Sequence, residues 1–162
     1  MAVHEFELFH GIALTKLVRG DRPISLRMIE TRPGEAWSAY TINNEVELFL
    51  KHSTKPGKLR REKGGLAWNF VVGTDQLRQI RESARPVYMA LVCGDQKLKT
   101  SSMQVCLIDP DQLKQLVDLS APSQQTVRIK FLPGKSLRVS SARVDEFIVA
   151  RNRFEEWQVP GS

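Results

Sequence analysis

Side-chain type alternates along Glu45-Val46-Glu47-Leu48-Phe49-Leu50-Lys51, and this alternation constrains the chain more than any other stretch. Successive side chains of a strand point to opposite faces, so Val46, Leu48 and Leu50 face one way and Glu45, Glu47, Phe49 and Lys51 the other. The first set reads as a core face. The second carries ionisable groups and reads as a face open to solvent and to chemistry. The strand runs on into His52-Ser53-Thr54-Lys55-Pro56, where the proline and the charges mark its exit.

The flanking sequence places this strand in a mixed α/β (α+β) chain. Phe6, Phe9, Ile12, Ala13, Leu17 and Val18 recur at helical spacing, which predicts a helix over roughly 4–19 stopped by Gly20. Asp21-Arg22-Pro23 turns the chain, Ile24 to Glu30 alternates as a strand, and Arg32 to Glu35 turns it again. Ala36 to Ile42 suits a strand, and Asn43-Asn44 predicts a tight hairpin because Asn tolerates the positive φ such turns need. Beyond the organising strand come a strand at Leu66–Val72, a helix opened by Thr74 as N-cap and ended by Pro86, and a near-continuous apolar run from Val87 to Val92, expected as a strand buried on both faces. Met103 to Ile108 is a further strand. Asp109-Pro110-Asp111-Gln112 has the form of a capping box with proline at the first helical position, opening a third helix to about Leu119. A hairpin folds at Pro133-Gly134, and residues 142–157 fit a helix or a strand equally well.

Length allows one sizeable core, so a single domain is expected over 1–162, with its core at about 4–95 and a C-terminal extension at about 96–162. The first residues lack a signal-peptide pattern, and no apolar run approaches the roughly 18 residues of a membrane span, so a soluble, cytoplasmic chain without a membrane partner is expected. Cys93 and Cys106 sit in apolar segments without metal-ligand spacing and read as buried free thiols, a disulfide being the less favoured alternative.

Charge is unevenly placed. Lys51, Lys55, Lys58, Arg60, Arg61 and Lys63 stand against Glu62 alone, leaving only +1 of the net +6 for all other residues. A basic loop of this kind suits a polyanion, because clustered cations release counterions at phosphates. The alternative is a solvated charge run with no partner.

The order of elements (helix, three strands, basic loop and strand, helix, buried strand) resembles the core of the restriction-endonuclease-like superfamily, the PD-(D/E)xK nucleases. Leu50-Lys51-His52-Ser53-Thr54-Lys55, then Trp68-Asn69-Phe70, then a helix and Tyr88-Met89-Ala90-Leu91-Val92, are similar to the run through and beyond that family's catalytic strand. The resemblance covers about residues 4–95. It implies a nucleic-acid-acting protein, either a divergent magnesium-dependent nuclease or a relative that binds without cleaving, with DNA ahead of RNA. In such enzymes carboxylates hold magnesium while a lysine two residues further along the same strand face assists the attacking water. Lys51 matches the lysine, but Phe49 stands where the carboxylate belongs. Glu47 shares that face two positions back, and Glu35 and Glu30 are the candidates for the second acid. The implied site is therefore Lys51, Glu47 and Glu35 for catalysis, with Glu35, Glu47 and Glu30 as ligands of magnesium, which is required only if the chain cleaves. Lys55, Lys58, Arg60, Arg61 and Lys63 would be the phosphate contacts, and Trp68 is either a stacking surface or plain core. The alternative for Glu45, Glu47 and Lys51 is a solvated face with cross-strand ion pairs.

Other chemistries lack their patterns. His4, His10 and His52 have no zinc spacing, Gly64-Gly65 is no phosphate-binding loop, and no Ser or Cys sits in a nucleophile elbow. His52 reads as a solvated or hydrogen-bonded surface residue. A reading from another class is a non-catalytic interaction or assembly module, a homodimer or a complex with another protein, held through the C-terminal Phe154-Glu155-Glu156-Trp157.

Overall fold

The computed structural model describes residues 5–19, 23–32, 37–95 and 103–160, with only backbone pairing for 30–32. Expectations that fall on His4, on Gly20 to Arg22 or on Pro33 to Ala36, Glu35 among them, lie outside the described residues. The chain is mixed α+β. Its elements are α1 (Glu5–Val18), β1 (Leu26–Arg32), β2 (Trp37–Ile42), β3 (Val46–Ser53), β4 (Gly57–Lys58), β5 (Leu66–Val72), α2 (Thr74–Glu82), β6 (Val87–Cys93), β7 (Gln104–Ile108), α3 (Pro110–Leu116), β8 (Gln125–Phe131), β9 (Leu137–Ser141) and β10 (Phe147–Val149).

Among the described residues, ten strands form two five-stranded sheets, ordered β1-β2-β3-β6-β7 and β10-β9-β8-β5-β4. β3 is the middle strand of the first. It pairs antiparallel with β2 and parallel with β6, with Glu47 opposite Val87 and Ser53 opposite Cys93. Asn43 and Asn44 take φ of 53° and 54° and close the β2–β3 hairpin as their sequence requires. The crossover from β3 to β6 passes through β4, β5 and α2, so the basic segment belongs to the second sheet.

Both faces of the first sheet are covered along β2, β3, β6 and β7, while Met28 and Ile29 of the edge strand β1 are exposed. On one, Leu48, Leu50, Ala90 and Val92 pack against Phe9, Ala13 and Leu17 of α1. On the other, Trp37, Phe49, Met89 and Leu91 meet Trp68, Phe70, Val127 and Ile129 of the second sheet, together with Leu77 and Ile80 of α2. This corrects the reading of β3: Glu47, Phe49 and Lys51 lie in the layer between two sheets, not on a solvated face, and every residue from Val46 to His52 is buried.

Local signals hold elsewhere with specific exceptions. The Asp109 carboxylate accepts from the Gln112 backbone N–H at 2.8 Å, while Gln112 Oε1 accepts from the Asp109 N–H at 3.1 Å, the capping box predicted with Pro110 behind it. α2, by contrast, has Gly73 as N-cap with no side-chain hydrogen bond, Thr74 being its first helical residue, and it ends at Glu82, before Pro86. α3 stops at Leu116 rather than Leu119. The ambiguous 142–157 segment contains the short strand β10, an edge partner of β9, followed by turns. Phe154 is buried in the α1-side core and Trp157 packs 4.7 Å from the Tyr88 ring, so the C-terminal aromatics expected to be available for a partner are used inside the fold.

Candidate functional site

β3 ends at Ser53, and buried Thr54 anchors the exit by donating to Glu5 Oε1 at 3.1 Å. The chain then makes the two-residue edge strand β4 and a tight turn. Leu59 N–H donates to Gly65 O at 3.1 Å, and Gly65 N–H donates to Glu62 O at 2.9 Å. Gly64 takes φ of 75°, open to glycine without strain, and a Cβ on Gly65 would stand 2.8 Å from Leu59 Cδ1, so the two glycines fix the geometry. Arg60, Arg61 and Lys63 ride on this turn, flanked by Lys58 on β4 and Lys55 before it. All five are exposed, and none has an ion-pair partner among the described residues. Lys51, the sixth cation of the sequence cluster, is separated from them by burial.

Glu47 and Lys51 share the inter-sheet face but stand four residues apart, about 13 Å along an extended strand. Phe49 lies between them, fully buried and stacked on Trp37 with ring centroids 4.8 Å apart. The Lys51 ammonium donates to Gln76 Oε1 of α2 at 2.8 Å. The Glu47 carboxylate accepts from the Ser83 hydroxyl at the end of α2 and opens on a cleft of about 470 Å³ that Asp75, Arg78, Glu82 and Arg85 also line. Desolvated charges of this kind persist only with partners, and Gln76 and Ser83 supply them.

Glu30 is placed by backbone alone, its Cα opposite Ala39 just past a bulge at Ile29. Glu35 lies outside the described residues. Of the three expected metal ligands, only Glu47 has a described side chain. No group of three or more His, Cys, Asp or Glu among the described residues could hold a metal ion, and magnesium needs an octahedral set built on carboxylates. The described residues do not compose a magnesium site.

Trp68 is core, 1% exposed, its indole N–H donating to Gly94 O at 2.8 Å; it offers no stacking surface. Cys93 and Cys106 are free and buried as expected, and burial pushes the Cys106 thiol up to about 12 and the Cys93 thiol well up, which makes both poor nucleophiles.

A polar chain absent from the sequence expectations links α1 to the first sheet. His10 Nδ1 lies 2.8 Å from Ser38 Oγ, His10 Nε2 lies 2.9 Å from His52 Nδ1, and His52 Nε2 lies 3.3 Å from Glu5 Oε1. One arrangement satisfies all three contacts with neutral rings: Ser38 donates to His10, His10 to His52, and His52 to the Glu5 carboxylate. Burial pushes His52 below the ordinary imidazole value, with Glu5 opposing the shift and Lys51 adding to it. His52 is therefore an interior residue, not the surface residue its strand-end position suggests. Ser38 is sealed from solvent and cannot meet a substrate, so the chain ties helix to sheet. Its linked pairs His10–Ser38 and His10–His52 are 28 and 42 residues apart in sequence, and His52–Glu5 is farther still, beyond the reach of any local pattern.

Comparison of the chain with protein-family models, with curated proteins and with solved structures finds no match.

Proposed function

We propose that this chain is a nucleic-acid-binding protein of restriction-endonuclease-like fold, and that it grips the phosphate backbone, DNA ahead of RNA, through the basic turn. The single observation that carries the reading is the group of five exposed cations, Lys55, Lys58, Arg60, Arg61 and Lys63, with no ion-pair partner among the described residues. Some exposed or half-exposed cations elsewhere find carboxylates, Lys16 with Glu155, Arg138 with Glu146 and Arg153 with Asp109, and scattered ones such as Arg19, Arg27 and Lys114 do not among the described residues; what sets the turn apart is that five cations crowd between Lys55 and Lys63. Cations crowded on one turn and its approach repel one another, and a polyanion relieves that repulsion. The fold assignment is supported by α1 followed by the β1–β2–β3 meander, with β6 parallel to β3 after α2.

Binding without cleavage is the form favoured, because Phe49, buried against Trp37, fills the position of the motif carboxylate. The test is fluorescence anisotropy with labelled duplexes and single strands of DNA and RNA over a salt series, with and without magnesium. Five phosphate contacts give a slope of log K against log salt of about −4.5, roughly a 500-fold loss between 50 and 200 mM. Changing Lys58, Arg60 and Arg61 to Ala should bring the slope to about −1.8. Binding that is flat in salt, or unaltered in that variant, would end this reading. Magnesium-dependent cleavage abolished by Lys51→Ala in a folded protein would instead restore the nuclease form.

A further inference from the structure

The basic turn has neighbours that the sequence does not place beside it. A Cβ on Gly64 would lie 3.1 Å from Pro133 Cγ, so the β4–β5 turn touches the β8–β9 turn. That second turn is closed by the Lys135 N–H donating to Leu132 O at 3.0 Å and presents the exposed Lys135 side chain. The exit of β10 reaches the same end of the sheet, because Val149 pairs with Leu137, the first residue of β9. Arg151 follows directly, exposed, its guanidinium 5.7 Å from the centroid of the Phe131 ring that ends β8. Neither Lys135 nor Arg151 has an ion-pair partner among the described residues. The carboxylate four residues beyond Arg151, Glu155, is held by Lys16 at 2.6 Å, and Glu146 is taken up by Lys130 and Arg138 at 3.5 and 3.3 Å.

From this juxtaposition we infer that Lys135 and Arg151 extend the basic turn into one cationic row along the end of the second sheet, and that the row binds the sugar-phosphate backbone of a nucleic-acid duplex. The inference rests on the reading of the basic turn as a phosphate contact. From β4 to β10 the row crosses four strand spacings, about 19 Å at ~4.8 Å each. A duplex carries one charge per ~1.7 Å of axis, so the length spanned by such a row bears roughly eleven phosphates, twice the density a single strand offers. Single-strand binders add aromatic platforms for the bases. Here Trp68 and Phe70 are buried and Phe131 lies beneath Arg151, which leaves the backbone as what is read.

Lys135→Gln combined with Arg151→Gln tests the row. Lys114→Gln is the control: it is an exposed α3 cation beside Pro86 and Val87, at the start of β6, whereas Trp68, on the strand that leaves the basic turn, donates to Gly94 beyond the other end of β6. With all variants matched in thermal unfolding, the double variant should lose roughly tenfold or more in duplex affinity and about 1.8 in salt slope, and the control neither. Wild-type protein should bind duplex more tightly than the same single strand. Wild-type affinity and slope in the double variant, alongside loss in the Lys58, Arg60 and Arg61 variant, would overturn the row and leave the basic turn standing; tighter binding of the single strand would also overturn it. No binding by the wild type would remove both.

Discussion

Replacing Phe49 tests whether the motif position is a packing site. Its ring is fully buried, its Cα lies opposite Ala39 and Met89, and it stacks on Trp37 at 4.8 Å with 16° between the planes. Phe→Ala in a core costs about 3–5 kcal/mol, which includes the cavity, and the stacked pair contributes about 0.5–1.5 kcal/mol beyond its area. Phe49→Ala should therefore destabilise by about 4 kcal/mol. Phe49→Leu, closer in volume, should cost about 1.5 kcal/mol. Urea unfolding reads this directly: at a slope near 2 kcal/mol per molar, the Ala midpoint falls by about 2 M. Phe49→Asp, which would rebuild the carboxylate–x–lysine pattern with Lys51, adds an unsatisfied buried carboxyl for a total of about 6 kcal/mol, comparable with the whole stability of a domain. It should unfold the protein rather than create a nuclease. A Phe49→Ala loss below about 1 kcal/mol, or a folded Phe49→Asp protein that cleaves DNA with magnesium, would refute the argument that packing selects Phe here.

Two further outcomes follow from the polar contacts. Because burial lowers the His52 pKa, the unfolded chain takes up a proton below about 6.5 that the folded chain refuses. Stability contributed by neutral His52 is thus present above that pH and is lost as pH falls toward its folded value, at up to about 1.4 kcal/mol per pH unit; urea midpoints between pH 7.5 and 5 should show the decline, less steep in His52→Gln. Asp109→Ala removes the α3 capping box and the 2.9 Å contact with Arg153 together, which should cost about 1–2 kcal/mol by thermal unfolding, whereas Asp109→Asn, keeping an acceptor for Gln112 N–H, should cost less.

What the sequence shows well is what a few adjacent residues decide. Asn43-Asn44, Asp109-Pro110-Asp111-Gln112 and Pro133-Gly134 each dictate a local backbone conformation, and the elements they bound stand where the pattern puts them. Val87 to Val92 reads as a buried strand because an apolar run has no polar side to show solvent, and β6 is indeed flanked by strands on both sides. The helix cap at Gly73 is backbone geometry alone and left no side chain to find. The His10–His52 chain, and the meeting of Lys135 and Arg151 with the basic turn, depend on which elements the fold brings together; composition near each residue carries no trace of that.

Glu47 and Lys51 show why alternation could not distinguish a solvated face from an interior layer. Period two reports that two faces differ in polarity, not that one is wet. An apolar face needs one covering element; the other face stays in water only if nothing else in the chain requires it. Here β5, β8 and β9 carry their own apolar inner face, Trp68, Phe70, Ile129 and Val139, which must be buried somewhere, and the first sheet offers Trp37, Ala39, Phe49, Met89 and Leu91. The ionisable groups on that face are carried inside with them, Lys51 to Gln76 and Glu47 to Ser83. Between Glu47 and Lys63 the chain thus divides its charges by environment. Those on β3 become interior groups whose partners are on and at the end of α2, and those of the segment that follows, Lys55, Lys58, Arg60, Arg61 and Lys63, stay in water as the exposed group on which the proposed phosphate binding rests.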